Sequence, residues 1–554
     1  MTTSTKVQLT DELKRAIGQR FVLGFHGTSS KLDDAASKNI KTLLGAPYYL
    51  GNVIMMKRNV EGKDEVREMI RSLQSHARQV QGEEAKPLLI GTDQEGGLVS
   101  AFTVPPGKGK EGVTHPGAMP LGRVKDDDKY ETSALEMTRK TYEASGKELA
   151  MLGVNWVYAP VGDVNTDKRN PVIGVRSFGE EPEKVAKHVA KACEGLGQAG
   201  IASCVKHFPG HGDTSVDSHL GMPVIRKGRE QLRKEELVPF EGVVGVKGVT
   251  VMTGHMAMPE VTGKTYEPCS LSREVTKKLL REEMGFEGVV VTDCLEMDAI
   301  ARTEASDKEK EGGWEGGCGI EEGAVKAIEA DADVVMICHT FEKQVGAIRK
   351  VWEAVEDGRI GVEELMKGVE RVKKLKDWLG LTWDKVTRED EHWEKRWKEL
   401  KRENAAIAEE GYRRSVVVRD GFVPLEKDLA KTTLYTPANE SINLAVDDAE
   451  GVLRTKDGKV RNTAGPSFVA MATKLGCKHV VYRDSVDVQG GQGIFVFRNG
   501  ATSEWQQRAL LAVEKGSSRV VVVSCGTPYE ASYDVAAMES TAAALSHVLS
   551  LVIR

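Results

Sequence analysis

Apolar residues in the first 340 positions gather into short β-rich runs, each ending in a polar or glycine-rich segment and followed by a stretch with helical apolar spacing. Eight runs predict strands: Phe21–Phe25, Val53–Met56, Pro87–Gly91, Asn155–Ala159, Ala202–Val205, Thr250–Thr253, Gly288–Val291 and Val334–Cys338. Asp64–Gln81, Glu131–Leu152, Glu183–Gln198 and Arg273–Glu283 predict helices between them. Eight strand–helix units in this length suggest a closed (β/α)8 barrel of the TIM type. An open doubly wound sheet is the rival architecture.

A charged segment, Thr382–Asn404, interrupts the rhythm and carries Trp383, Trp393 and Trp397. Tryptophans at i and i+4 share one helix face, so Trp393 and Trp397 are expected to pack on a neighbour rather than on a ligand. Beyond it, Arg414–Val418, Thr432–Tyr435, His479–Tyr482, Gly493–Phe497 and Arg519–Ser524 read as strands, with helices over Ser503–Lys515 and Met538–Val552. That pattern predicts a smaller parallel α/β sandwich. The expected organisation is a barrel over 1–380, a charged helical linker over 381–412 and the sandwich domain over 413–554. Gln489-Gly-Gly-Gln-Gly493 leads into a strand and not into a helix, which argues against a phosphate loop.

Composition narrows the class. The 554 residues are 40% hydrophobic and 29% charged, which excludes disordered and fibrous chains. Seventy-seven basic against 83 acidic residues leave a net charge of −6, without an electrostatic footprint for nucleic acid or an anionic membrane. The N-terminal stretch Met1–Lys14 lacks the apolar core of a secretory signal, and the longest apolar runs have only strand length. Eight scattered cysteines without a CxxC pair suit a reduced compartment. The expected location is cytoplasmic.

In a barrel, reactive groups belong at the carboxyl ends of the strands. Those positions hold Asp93, Asp163, Lys206 with His207, His255, Asp293 and His339, after six of the eight predicted strands. The densest stretch, Lys206 to His219, has three histidines and two aspartates in fourteen residues. It could bind a metal through His207, His211, Asp213 and His219, although the Pro-Gly break prevents the helical spacing many zinc hydrolases use. Alternatively, Lys206 and His207 contact sugar hydroxyls. In Asp217-Ser-His219, alternate side chains on an extended strip can meet, and a carboxylate on one imidazole nitrogen raises the basicity of the other.

Four ordered motifs then carry a resemblance. Asp93-Gln-Glu-Gly-Gly97, Asn170-Pro-Val-Ile-Gly-Val-Arg-Ser-Phe-Gly179, Lys206-His-Phe-Pro-Gly-His-Gly-Asp213 and Val291-Thr-Asp-Cys-Leu-Glu-Met297 resemble glycoside hydrolase family 3 over about residues 15–380. The Asp217-Ser-His219 loop is similar to its NagZ-like β-N-acetylglucosaminidase branch. The resemblance implies Asp293 as the nucleophile of a retaining hydrolase and His219 as acid/base, held by Asp217. It implies Asp93, Arg176, Lys206 and His207 as the residues that hold the sugar's hydroxyls and N-acetyl group. Lys206 or Arg176 would help keep the nucleophile ionised. No metal or other cofactor is expected.

Hydrolysis of terminal N-acetyl-β-glucosaminides is therefore the leading expectation. Because histidine replaces a carboxylic acid, an anion could also attack the intermediate, so a phosphorylase releasing a sugar 1-phosphate is the alternative. A metal-dependent hydrolase is a distant third. Leu98 and Ala101 stand where many bacterial relatives carry arginines, which weakens the case for a peptidoglycan fragment and leaves chitin-type oligosaccharides or aryl glycosides as candidates. In the insertion Thr303–Gly319, Trp314 is either a solvated loop residue or a neighbour of the acceptor subsite. The second domain is expected either to cover one rim of the cleft or to support a homodimer.

Overall fold

The computed structural model describes residues 6–102, 112–127, 130–214, 222–304, 310, 315–438, 465–483, 485–498, 503–526, 529 and 533–553. Strands β1 (Phe21–Leu23), β2 (Asn52–Met55), β3 (Leu89–Thr92), β6 (Trp156–Val157), β7 (Ala202–Phe208), β8 (Val249–Thr253), β9 (Val290–Cys294) and β10 (Val334–Ile337) close into a barrel. Every barrel pairing is parallel. The open-sheet alternative is thereby excluded. A two-stranded hairpin, β4 (Gln94–Gly96) and β5 (Val99–Ser100), stands on the end of β3.

The strands read as continuous apolar runs because both faces are covered. Val22, Ile54, Leu89, Trp156, Ala202, Met252, Val291 and Val334 fill the lumen. Trp156 is fully buried there, and its indole N–H donates to Thr250 Oγ1 at 2.9 Å, which satisfies the ring's one polar atom. The opposite faces join a larger core with the surrounding helices, among them Lys63–Gln81, Ala134–Leu152 and Pro182–Gln198. Two strands run further than the sequence reading: β7 takes in Lys206, His207 and Phe208, and β9 takes in Asp293 and Cys294.

The charged segment folds as a short helix, Trp383–Thr387, and a 23-residue helix, Trp393–Ser415. Trp393 and Trp397 stack with centroids 5.5 Å apart, and the Trp393 indole N–H donates to Met151 O at 2.9 Å. Asn404 and Lys401 both reach the buried Glu148 carboxylate, each at 2.9 Å. The long helix is thus fastened to the barrel over its whole first half.

The smaller domain is a six-stranded sheet in the order β11-β16-β15-β14-β12-β13: β11 (Val417–Val418), β12 (Thr432–Pro437), β13 (Lys478–Tyr482), β14 (Gln492–Phe497), β15 (Arg519–Ser524) and β16 (Val535–Ala536). It is not wholly parallel, because β11 meets β16 antiparallel. The glycine-rich Gln489–Gly493 segment leads into β14, as expected. The last helix is Ala542–Val552, capped by the Thr541 hydroxyl, so it starts four residues later than predicted and leaves Met538–Ser540 as a loop. Among the described residues, no helix is long and apolar enough to cross a membrane.

Candidate active site

The carboxyl ends of the barrel strands bring the predicted residues together. Lys206, only 2% exposed, places Nζ 2.6 Å from Asp93 Oδ1 and 2.7 Å from Glu95 Oε1. Arg176 grips the same Glu95 with two N–H donors, at 2.9 and 2.8 Å. Burial opposes ionisation of Glu95, but Arg176 and then Lys206 outweigh it and hold its pKa at about 2. Burial likewise opposes the charge on Lys206, and the Asp93 and Glu95 carboxylates overcome it and push its pKa up. Asp93 differs: burial raises its pKa even with Lys206 in contact, and the nearby Asp293 charge adds to the rise.

Glu95 was not singled out from the sequence, although it lies in the quoted Asp93–Gly97 motif. Its signal is the i, i+2 spacing from Asp93 on a segment that turns back at once. The turn depends on Gly96 (φ +91°) and Gly97 (φ +58°). At Gly97 an added Cβ would lie 2.9 Å from Glu539 Oε2 and 3.0 Å from Gly117 Cα, so this turn is also where the two domains touch. Glu539 accepts the Gly117 N–H at 2.9 Å, and Asn165 Nδ2 donates to the Tyr529 hydroxyl at 3.0 Å. Both contacts put the smaller domain on the barrel's rim.

A second anchor is Asp163, which is completely buried. Its Oδ1 accepts the backbone N–H of His207 (3.1 Å) and of His211 (2.7 Å), and its Oδ2 lies 2.7 Å from His207 Nδ1. Burial works against the Asp163 charge, and His207 outweighs it, so the carboxylate sits below its ordinary range. With Nδ1 held, His207 presents Nε2 to the cleft, 3.9 Å from Asp293 Oδ2. Lys206 and Arg176, the cations expected to help keep the nucleophile ionised, make their ion pairs with Asp93 and Glu95.

Asp293 lies at the end of β9, where the register slips. Val291 pairs with Val334 and Cys294 with Met336, three steps against two. Such a bulge inserts one residue and re-aims side chains, a common device beside active sites. His255 braces this strand end, with Nε2 2.9 Å from Cys294 O and Nδ1 2.7 Å from Ser270 Oγ. His339 and Thr340 donate their backbone N–H groups to Glu296, at 2.6 and 2.8 Å.

Asp217 and His219, the predicted acid/base pair, and Trp314 lie outside the described residues. Asp213 is held by Lys227, whose Nζ is 3.2 Å from Asp213 Oδ2 and also bonds Glu235 and Glu236. The donors of His207, His211 and Asp213 do not converge as a metal set among the described residues. Their partners explain why: His207 holds Asp163, His211 Nδ1 meets Thr214 Oγ1 at 2.8 Å, and Asp213 faces Lys227. Burial also lowers the His211 pKa to about 4.

Comparison with known proteins fits this geometry. The profile of the glycosyl hydrolase family 3 N-terminal domain matches residues 15–375, which contain all eight barrel strands. "Beta-hexosaminidase A" of Pseudoalteromonas piscicida is 31% identical over 401 residues, covering 68% of this chain and 62% of that protein. A fungal multi-domain family 3 β-N-acetylglucosaminidase with an N-acetyltransferase region superposes with a TM-score of 0.79 at 30% identity, over 98% of this chain and 59% of that one. A family 3 β-N-acetylglucosaminidase from Paenibacillus sp. superposes with a TM-score of 0.76 at 28% identity, covering 98% of this chain and 96% of that one. The chain thus spans about three fifths of the first two relatives and nearly all of the third. Barrel, strand-end cluster and profile agree: this chain belongs to glycosyl hydrolase family 3.

Proposed function

We propose that the protein is a retaining exo-β-N-acetylglucosaminidase with Asp293 as nucleophile and the Asp217–His219 pair as acid/base. The observation that carries this reading is the Asp293 carboxylate at the barrel mouth, 3.9 Å from His207 Nε2 and close to the buried Asp93–Lys206–Glu95–Arg176 cluster. The names of the relatives support the sugar class. The mouth offers acceptors on Asp93 and donors on Lys206 and His207, a mixture suited to sugar hydroxyls, each of which both donates and accepts.

Glu95 and Asp163 act as positioning residues. They spend their charge on Lys206, Arg176 and His207, fixing those groups before the sugar arrives. Carboxylates outnumber fixed cations around the mouth, which favours a transition state that develops positive charge at the anomeric carbon. Asp293 attacks that carbon while His219 gives its proton to the leaving oxygen. His219 then takes a proton from the incoming water, which releases the sugar from Asp293 with its β configuration retained.

The test is a product assay on an aryl N-acetyl-β-glucosaminide and the matching β-glucoside, with and without phosphate. The proposal requires preference for the N-acetyl sugar and free N-acetylglucosamine in both buffers. Dominant N-acetylglucosamine 1-phosphate would make the protein a phosphorylase, and preference for the glucoside would overturn the sugar class.

A further inference from the structure

Beside Asp293 lies a set of groups that this catalytic reading does not use. Cys294 ends β9 and Cys338 follows β10, its direct neighbour in the barrel. Met336 pairs with Cys294, and Cys338 stands two residues beyond Met336, so the two thiols face the same side of the sheet at the top of the lumen. The next residue is His339. One donor atom from each of Cys294, Cys338 and His339 lies within 4.8 Å of the others, the sole convergence of three such donors among the described residues.

We propose that Cys294, Cys338 and His339 form a binding site for a thiophilic d10 cation of the zinc and cadmium class, and that its occupation blocks Asp293. Two sulfurs and an imidazole are the donors such ions prefer. A tetrahedral ion with metal–sulfur bonds of about 2.3 Å separates two sulfurs by roughly 3.8 Å. The three donors therefore need to draw together by only about an ångström. Glu296 Oε2, 3.8 Å from Cys294 Sγ, offers an oxygen for the remaining position, and water is the other choice.

The surroundings argue against ordinary thiol chemistry. The hydrogen bond with Cys294, together with burial, pushes the Cys338 thiol well above its usual range. A protonated thiol is a poor nucleophile, whereas a bound metal ionises it outright. Two thiolates then neutralise one dication, their protons pass to solvent, and no oxidant or reductant is needed. The Arg58 guanidinium, 2.9 Å from His339 Nδ1, adds a cation that favours thiolate over thiol. Asp293 immediately precedes Cys294 in the chain, so the charge of an ion held here acts at short range on the nucleophile's carboxylate.

The blocking effect rests on the assignment of Asp293, so binding and turnover are measured separately. Reduced full-length protein is titrated with Cd2+ and followed by ultraviolet thiolate-to-cadmium charge transfer. One ion per chain is expected. Cys338→Ala should abolish the band, as should the volume-conserving Cys338→Ser if the alanine variant folds poorly. His339→Ala should keep a thiolate band with affinity at least about tenfold weaker. No band in the wild type, or a band undiminished in both Cys338 variants, overturns the site. At saturating Zn2+, wild-type turnover should fall at least about tenfold while Cys338→Ser retains its activity. Unchanged wild-type turnover at saturation overturns the block. Absence of turnover in metal-free wild type would count against the glycosidase reading, and the charge-transfer titration would still decide the site.

Discussion

Replacing Glu95 by glutamine keeps the shape of the side chain and removes the charge that two buried cations share. Its pKa in the folded chain is about 2 against an ordinary 4.5, a difference near 2.5 units. At 1.36 kcal/mol per unit this corresponds to about 3 kcal/mol, consistent with the roughly 3–5 kcal/mol lost when one partner of a buried pair is removed. The sign follows from proton linkage. A depressed folded pKa contributes stability that is complete above pH 4.5, where the carboxylate is ionised in both states, and that is lost as pH falls toward 2. Urea unfolding of wild type and Glu95→Gln in steps from pH 7 to 3 should therefore show a gap of about 3 kcal/mol at neutrality. Below pH 4.5 the gap should narrow by about 1.4 kcal/mol per pH unit. A gap that stays constant across this range would mean that packing, and not the shared charge, makes Glu95 matter.

His219→Ala should slow substrates with poor leaving groups more than activated aryl glycosides, which depart without protonation; equal losses would make His219 structural. Glu539→Gln tests the domain contact. Burial raises the Glu539 pKa to about 7, so wild type should lose stability relative to the variant as pH rises from 4.5 through 7, read by thermal unfolding. Trp397→Ala should cost about 3–5 kcal/mol, because the ring is fully buried and stacked on Trp393; a loss under 1 kcal/mol would detach the long helix from barrel stability.

The barrel is legible because its strands are short and apolar on both faces, and six of the eight are followed by a polar rim residue. The apolar runs Ala202–Val205 and Gly288–Val291 stop short of the strand ends for a related reason. Lys206, His207 and Asp293 break the apolar run, yet they continue the strand, since at the mouth a strand's final residues point into the site. Pairings between distant residues left no trace in the pattern. Glu95 meets Arg176 across 81 positions, and Asp163 meets His207 across 44. The slipped register at Val291–Cys294 was equally hidden, because a bulge depends on the neighbouring strand.

In the smaller domain, β16 escaped because two residues carry no periodicity. The final helix was extended over Met538–Ser540 because these positions continue its apolar spacing, while Thr541 takes the cap and frees Glu539 to reach Gly117. Trp393 and Trp397 stack as the sequence predicts, since the i, i+4 spacing alone aligns them.

The proposed mechanism stands on Asp293 forming the covalent glycosyl–enzyme intermediate. The most direct measurement is peptide mapping by mass spectrometry after trapping with a fluorinated, activated N-acetyl-β-glucosaminide that forms the intermediate faster than it is hydrolysed. A single sugar adduct is expected on Asp293 within the peptide that contains Val291–Met297. An adduct on another carboxylate, such as Asp93 or Glu296, would contradict it.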